Sequence, residues 1–433
     1  MASSEAYDLI VVGSGFAGCM TTLNFMEECK RLEKSCRVAL VEAGKEGERS
    51  GASKWTMAYL QLDKNLEFDD HWVKEMRRVS HGAVDEDYCE KLRQEAPVSA
   101  RYLEDHGVKF VHHDEPNVLL EFNTDQHFVF PEGGGNAIIQ NLLSHIRQFD
   151  SVDILYQTEA AHLLTTEAGS IRGLKVRKTD GLLHNLLAPT VMLACGGFEA
   201  NQEMLARERA CECVDTRAGK PDAVIWGHNY GILVNDDCER FYDEGERHLF
   251  ATFEMAALYT WRDQNMSCYF VTDDVIMQRF KGSWVYETTD KPPEKSDTIE
   301  GLAEKLKIDP KKLKKTVDDF NASINDKEFD LMKLDGKATT GLQPNKTKWA
   351  NPFVKAPFYG FPCTPNLTFT YGGVKTDLHS RVLAHNDVPI PGLYASGEMT
   401  GLFYNEYPPA TSCLRSMTFG RLAGTEIAQK LGS

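Results

Sequence analysis

Tyr7-Asp8-Leu9-Ile10-Val11-Val12-Gly13-Ser14-Gly15-Phe16-Ala17-Gly18 is the stretch on which the fold turns. Tyr7 to Val12 is an apolar run with β-branched residues, expected as a buried strand. It opens into GxGxxG and then into a helix expected over Ala17 to Leu32, the setting that fingerprint requires. Gly13 permits the tight turn, Gly15 lets a pyrophosphate approach the backbone, and Gly18 lets the helix pack on the strand. Phe16 and Ala17 begin that helix, whose first N–H groups would face the phosphates. Arg37 to Glu42 reads as a second strand ending in an acid. Glu42, with Ala43 after it, is placed to accept hydrogen bonds from ribose hydroxyls, and its charge disfavours a 2′-phosphate. The unit predicts a dinucleotide site.

The rest of the chain bounds what surrounds that site. It has 433 residues, enough for two or three domains, with 42% hydrophobic and 26% charged residues. Lys plus Arg number 48 against 64 Asp plus Glu, a net charge of −16. That surface argues against nucleic acid and against anionic membrane as partners. No run reaches the ~18 apolar residues of a membrane span, and no secretory leader pattern opens the sequence. A cytoplasmic protein with reduced thiols is expected. Eleven cysteines without regular spacing suggest no disulfide framework. Cys211, Cys213 and His228 lack the further ligands a zinc site needs, so no metal is expected.

Four more segments carry a family resemblance. They are Ser50-Gly51-Ala52-Ser53-Lys54-Trp55-Thr56-Met57-Ala58; Thr190 to Asn201, with Ala194-Cys195-Gly196-Gly197-Phe198-Glu199; Tyr230 to Asn235 followed by Glu239-Arg240-Phe241-Tyr242-Asp243-Glu244-Gly245; and Thr370-Tyr371-Gly372-Gly373-Val374 through Ala395-Ser396-Gly397-Glu398. In this order they resemble the flavoproteins of the fumarate reductase/succinate dehydrogenase type, and within it the tricarballylate dehydrogenase branch. The resemblance implies non-covalently bound FAD. It implies an α/β fold: a Rossmann-like FAD-binding domain of the glutathione-reductase type, interrupted by a smaller α+β cap. The boundaries expected are 1–220 and 351–433 for the FAD domain and 221–350 for the cap. Gly51, Ala52, Ser53 and Thr56 would lie against pyrophosphate and flavin. Val152 to Ala160 would be one strand passing the adenine. Ala194, Cys195 and Gly196 would form a turn beside the dinucleotide, and Gly397-Glu398 would hold ribityl or ribose hydroxyls. A last helix from Ser412, through Cys413 and Leu414, to about Leu431 would aim its N-terminal amides at the flavin.

The family chemistry is hydride transfer between flavin N5 and a carbon of the substrate, with a second residue moving the proton. Fumarate reductases use an arginine shortly after RF-x-x-E. Here Arg247 falls near that place, with His248 beside it. The departures concern the substrate. Phe369 stands where a carboxylate-binding histidine would be, and Tyr407-Pro408-Pro409-Ala410 where the arginine segment would be. The tricarballylate branch's histidine and glycines are also replaced here. Without paired cations a dry site holds a dicarboxylate poorly. Tyr371, Tyr404 and Tyr407 would instead line an aromatic pocket for a larger, less charged substrate. The expectation is CH–CH dehydrogenation or enone/enoate reduction, with an unidentified electron donor or acceptor. An isomerase or lyase using FAD without net redox, or a non-enzymatic flavoprotein, are the alternatives.

In the cap, Asp297-Thr298-Ile299-Glu300 reads as a capping box. Asp309-Pro310 reads as an N-cap with proline at the first helical position, and Leu313, Val317 and Phe320 as one apolar stripe. Lys311, Lys312, Lys314 and Lys315 read as a solvated face. Asp326 to Lys348 reads as a surface loop.

Overall fold

The computed structural model describes residues 5–48, 51–68, 72–112, 128–199, 201, 227–247, 252–279, 292–330, 333–365, 370–404, 407–408 and 410–432. Its central sheet has six strands in the order Arg381–Leu383, Pro389–Ala395, Thr190–Leu193, Leu9–Val12, Val38–Val41 and Val152–Leu155. All pairs are parallel except the outer hairpin formed by the first two. Leu9, Ile10, Val11 and Val12 are buried on both faces, as their unbroken apolar run demands. The chain leaves Leu9–Val12 toward Val38–Val41 on one side and returns later on the other. The resulting crevice lies at the carboxyl ends of the strands, where the direction of winding changes.

Two helices cover this crevice's floor. Phe16–Arg31 packs against the last helix, Ser412–Lys430, through small residues: a Cβ on Gly420 would lie 2.6 Å from the Ala17 carbonyl oxygen. Thr21 Oγ1 donates to the Gly420 carbonyl at 3.0 Å, and Lys34 Nζ donates to the Ala428 and Leu431 carbonyls at 2.9 and 2.7 Å. That ammonium satisfies the final carbonyls of the last helix.

The expected strand Val152 to Ala160 is two elements. Val152–Leu155 completes the central sheet, and Glu159–Thr165 starts a second sheet with Ile171–Arg177, Leu183–Leu187 and Glu5–Ala6. Gln157, at φ 49°, makes the corner between them. A period-2 pattern does not report such a change of sheet, because it records neither the corner at Gln157 nor which sheet each half joins.

The cap sheet runs Ile232–Val234, Cys268–Thr272, Phe358–Cys363, Glu294–Ser296, all antiparallel. Phe358–Cys363, beyond residue 351, pairs with two strands of this sheet. Asp309 caps Pro310–Ser323 by accepting from the Lys311 and Lys312 amides, and Leu313, Val317 and Phe320 are buried. Lys314 and Lys315 pair with Asp318 and Asp319 on the exposed face. The preceding helix, Ile299–Leu306, is capped one residue later than expected. Thr298, not Asp297, accepts from the Gly301 amide at 3.0 Å. The segment 326–348 is not simply a surface loop, because Lys346 is wholly buried under the cap. No helix among the described residues is long and apolar enough to cross a membrane.

Candidate functional site

The glycine turn is built as its spacing requires. Gly13 has φ 97°, and a Cβ there would lie 2.4 Å from the Ala194 carbonyl oxygen. A Cβ on Gly18 would lie 1.8 Å from the Gly13 carbonyl oxygen. These contacts seat the start of Phe16–Arg31 directly over the strand ends. Gly15 is its N-cap, and neither a capping side chain nor an acidic residue occupies the first turn. The first N–H groups of a helix have no partner within it, the Phe16 amide finding one in Ser53, and such a helix end suits an anion.

Ser53 stands at the same helix end, its Oγ accepting from the Phe16 amide at 3.3 Å. The segment carrying it, with the short helix Ala52–Lys54, is clamped from the other side by Gly134–Ile146. The Gly135 amide donates to the Thr56 carbonyl at 2.8 Å, and a Cβ on Gly135 would lie 2.1 Å from the Ser53 carbonyl oxygen. Gly51 and Ala52 are exposed at the crevice mouth.

Glu42 is buried. It accepts from the Ser14 amide at 3.2 Å, from the Ser14 hydroxyl, and from the Gly44 amide at 2.8 Å. These bonds tie the two strand ends together through Ala43, and the Thr158 amide bonds the Glu42 carbonyl. Ala160 follows two residues on, half-buried in the second sheet. Ala194, Cys195 and Gly196 form the turn after Thr190–Leu193; the Ala194 amide bonds the Val12 carbonyl, and Cys195 is exposed with its thiol 3.3 Å from Met399 Sδ. Gly397 lies against Ala17, a Cβ there falling 3.1 Å from the Ala17 methyl. Glu398 Oε1 accepts from the Thr370 amide at 2.6 Å and from its hydroxyl at 3.2 Å.

Three aromatic residues pack together at the surface of the main core. Tyr371 meets Phe403 edge-on at 6.1 Å, and Phe403 meets Tyr407 edge-on at 5.0 Å. Arg415 lies behind them, wholly buried, its guanidinium 4.8 Å from the Phe403 ring and Nη1 donating to the Thr400 carbonyl at 3.0 Å. Burial pulls the Arg415 pKa down from its ordinary value. The Tyr407 hydroxyl accepts from the Thr411 and Ser412 amides at 3.0 and 2.9 Å and donates to Ser412 Oγ at 3.0 Å. It thus serves the N-terminus of Ser412–Lys430, which has no side-chain cap of its own. Tyr407→Phe is expected to lower stability by about 1–2 kcal/mol, read by urea unfolding. An unchanged midpoint would show that these bonds contribute little. Cys413 and Leu414 belong to the next amides of that first turn. Tyr404 points away from the group: its hydroxyl donates to the Ala83 carbonyl at 3.0 Å.

Arg247 is on the cap, half-buried near Tyr242, its carbonyl accepting from Asn229 Nδ2 at 3.1 Å. His248, Phe369, Ser50, Cys211 and Cys213 lie outside the described residues. The RF-x-x-E segment next to Arg247 builds a buried ion cluster. Glu244 Oε2 accepts from Arg240 Nη2 at 2.7 Å and lies 3.5 Å from Lys346 Nζ, which also donates to the Asn229 and Gly231 carbonyls. Burial alone would raise the Glu244 pKa, but the charges of Arg240 and Lys346 outweigh it and hold it low. Burial moves Lys346 the other way, down to about 8. His228 is buried against Thr252 Oγ1 at 3.0 Å, and no group of three or more metal-ligating side chains occurs among the described residues.

The crevice therefore offers an anion-binding helix end, a pocketed serine and glycine surfaces that admit a flat dinucleotide. The FAD-binding domain model matches residues 8–229 and 228–413. The chain belongs to the FAD-binding domain family. We propose that Gly13 to Gly18, Glu42, Ser53, Glu398 and the first turn of Ser412–Lys430 hold the FAD. The chain is 28% identical to the NADH:acrylate oxidoreductase of Vibrio harveyi over 63% of its own length, and spans 30% of that protein. It is 23% identical to the vinyl phenol reductase of Lactiplantibacillus plantarum, covering 99% of this chain and 98% of that one. Its fold is similar to that of a flavocytochrome c3 fumarate reductase in its open conformation, with a TM-score of 0.79, 19% identity, and coverage of 100% and 80% of the two chains.

Lys346 and Arg415 have no signature in the motifs above, and Thr370 and Glu199 stand there only within quoted segments, without a role of their own. Arg415 was open to detection, because it interrupts the buried face of an otherwise apolar and small-residue helix.

Proposed function

We propose that this protein is an FAD-dependent oxidoreductase that reduces, or forms, a carbon–carbon double bond in an aromatic or otherwise lightly charged organic substrate. The observation that carries the reading is the aromatic group of Tyr371, Phe403 and Tyr407, which pack edge to face and which we place beside the dinucleotide crevice. FAD, when bound, supplies the acceptor or donor of the electron pair. The chain's own residues hold it through the helix end at Phe16, orient the substrate ring against this aromatic group, and exclude water through the cap. Arg247 is the proton carrier in this proposal, with His248 as its neighbour in sequence. The electron donor or acceptor is a separate molecule. The end-to-end match to a vinyl phenol reductase supports a neutral aromatic alkene over a dicarboxylate.

The test is reoxidation of dithionite-reduced, FAD-loaded protein under argon by 4-vinylphenol, a cyclic enone and fumarate. One of the first two is expected to reoxidise the flavin at least about 100-fold faster than fumarate. Leaving one buried carboxylate without its cation costs about 3 kcal/mol or more. Fumarate as the fastest oxidant would overturn the reading. Arg247→Met is expected to slow reoxidation by about 100-fold or more without loss of bound FAD.

A further inference from the structure

Glu199 follows the Gly196-Gly197 turn at the end of Thr190–Leu193, on the crevice side that holds Glu398. The two carboxylates flank the Cα of Gly197. A Cβ placed there would lie 2.4 Å from Glu398 Oε1 and 2.5 Å from Glu199 Oε2. Gly197 is thus a residue whose missing side chain makes room for two acids. Their situations differ. Glu398 Oε1 accepts from the Thr370 amide and hydroxyl. Glu199 Oε2 is sealed from solvent and has no donor to bond. An ionised carboxylate accepts hydrogen bonds and cannot donate them, so two ionised acids here could only repel. A proton shared by the pair removes that repulsion. Burial and the Glu398 charge push the Glu199 pKa up to about 8. The other charged and titratable groups about the pair are Arg415 and Cys413 on the last helix, which feel the Glu398 charge, and the Cys195 thiol on the same turn as Glu199.

We propose that Glu199 and Glu398 hold a single proton between them beside the FAD crevice, and that the fully ionised pair takes up a proton when the flavin is reduced. The proton balance follows from charge. Two electrons and one proton convert the oxidised ring to its anionic reduced form. That new negative charge raises the proton affinity of nearby carboxylates. Above the pH at which the pair ionises fully in the oxidised protein, reduction then brings a second proton from solvent onto a carboxylate oxygen. The electrons come from the reductant, dithionite in the test. Glu199 acts here as a positioning residue: its proton orients Glu398 and moderates the charge beside the ring.

The proposal rests on FAD binding alone and on no substrate, so failure of the alkene panel leaves it standing. The experiment is the midpoint potential of the bound flavin, measured against pH by dye equilibration in wild type and in Glu199→Gln. The glutamine amide keeps a donor toward Glu398 but cannot titrate. Wild type is expected to show a slope rising toward two protons per two electrons between about pH 8 and 10, whereas the variant stays at one throughout. Parallel slopes in the two proteins would overturn the proposal. Should the variant fail to hold FAD, infrared difference spectra of the wild-type protein decide. A carboxylic C=O band, shifted in D₂O and gained on reduction at about pH 9, supports it, and the absence of that band overturns it.

Discussion

Gly18→Ala is expected to purify as a folded protein with less than a tenth of the flavin that wild type carries. The added methyl would fall 1.8 Å from the Gly13 carbonyl oxygen and 3.3 Å from Val11 Cγ1. Real Cβ atoms do not approach a backbone oxygen so closely, so the helix must lift from the strand. The lift moves the first-turn N–H groups away from the phosphate position proposed above, and oriented amides lose most of their value when displaced by about 1 Å. The remaining core of Leu9, Val11, Met20 and Leu23 is wholly buried and holds the sheet together without the ligand. An affinity loss of about 100-fold or more is anticipated, read as flavin-to-protein absorbance ratio and by titration of the apoprotein with FAD. Stoichiometric flavin in the variant would show that this turn does not place the phosphates.

Removing the anion of the cap cluster should have the largest effect on stability. In Glu244→Ala, Arg240 and Lys346 stay buried side by side with no carboxylate between them. The carbonyls of Pro344, Asn229 and Gly231 still accept from them, but no counter-charge remains. Breaking a buried ion pair from one side costs about 3–5 kcal/mol. The measurement is urea unfolding followed by tryptophan emission; Trp349 is buried in the cap and donates to the Asp330 and Lys333 carbonyls. The pH dependence has a definite sign. The Glu244 pKa is depressed in the folded protein, so its contribution is present above the ordinary carboxylate range. It is lost as pH falls toward the folded value. Glu244→Ala should therefore differ from wild type most at neutral pH and converge with it in acid. A constant difference at all pH values would mean that the charge is not what the cap uses.

Both predictions bear on what could be read in advance. Gly13, Gly15 and Gly18 were legible because their spacing is a local property: a strand, a turn and a helix end lie within twelve residues of chain. The cap helix at Asp309 was legible for the same reason, since cap, proline and apolar stripe are consecutive. The ion cluster was not. Lys346 lies 102 residues beyond Glu244 and sits in a polar stretch that looks like loop. Only the cap sheet brings it under Arg240. Tyr407 was read as a pocket phenol, and it packs edge-on against Phe403. Its hydroxyl is nonetheless taken up by the amides of Thr411 and Ser412, a bond no spacing rule predicts. Tyr404 departs further, since its partner, Ala83, is 321 residues earlier in the chain.

By itself, then, the sequence determined that a glycine turn and a bare helix N-terminus stand at the end of Leu9–Val12, because they belong to one continuous supersecondary unit. It also carries the substrate proposal, since Phe369 and Pro408 stand where the resemblance implies cations. The tertiary structure alone decided which charges are buried together. Glu199 meets Glu398 across Gly197, and Arg415 meets Phe403 behind the aromatic group. Such pairings depend on how separate segments are packed, and burial is what converts an ordinary acid or guanidinium into a group whose charge state affects function.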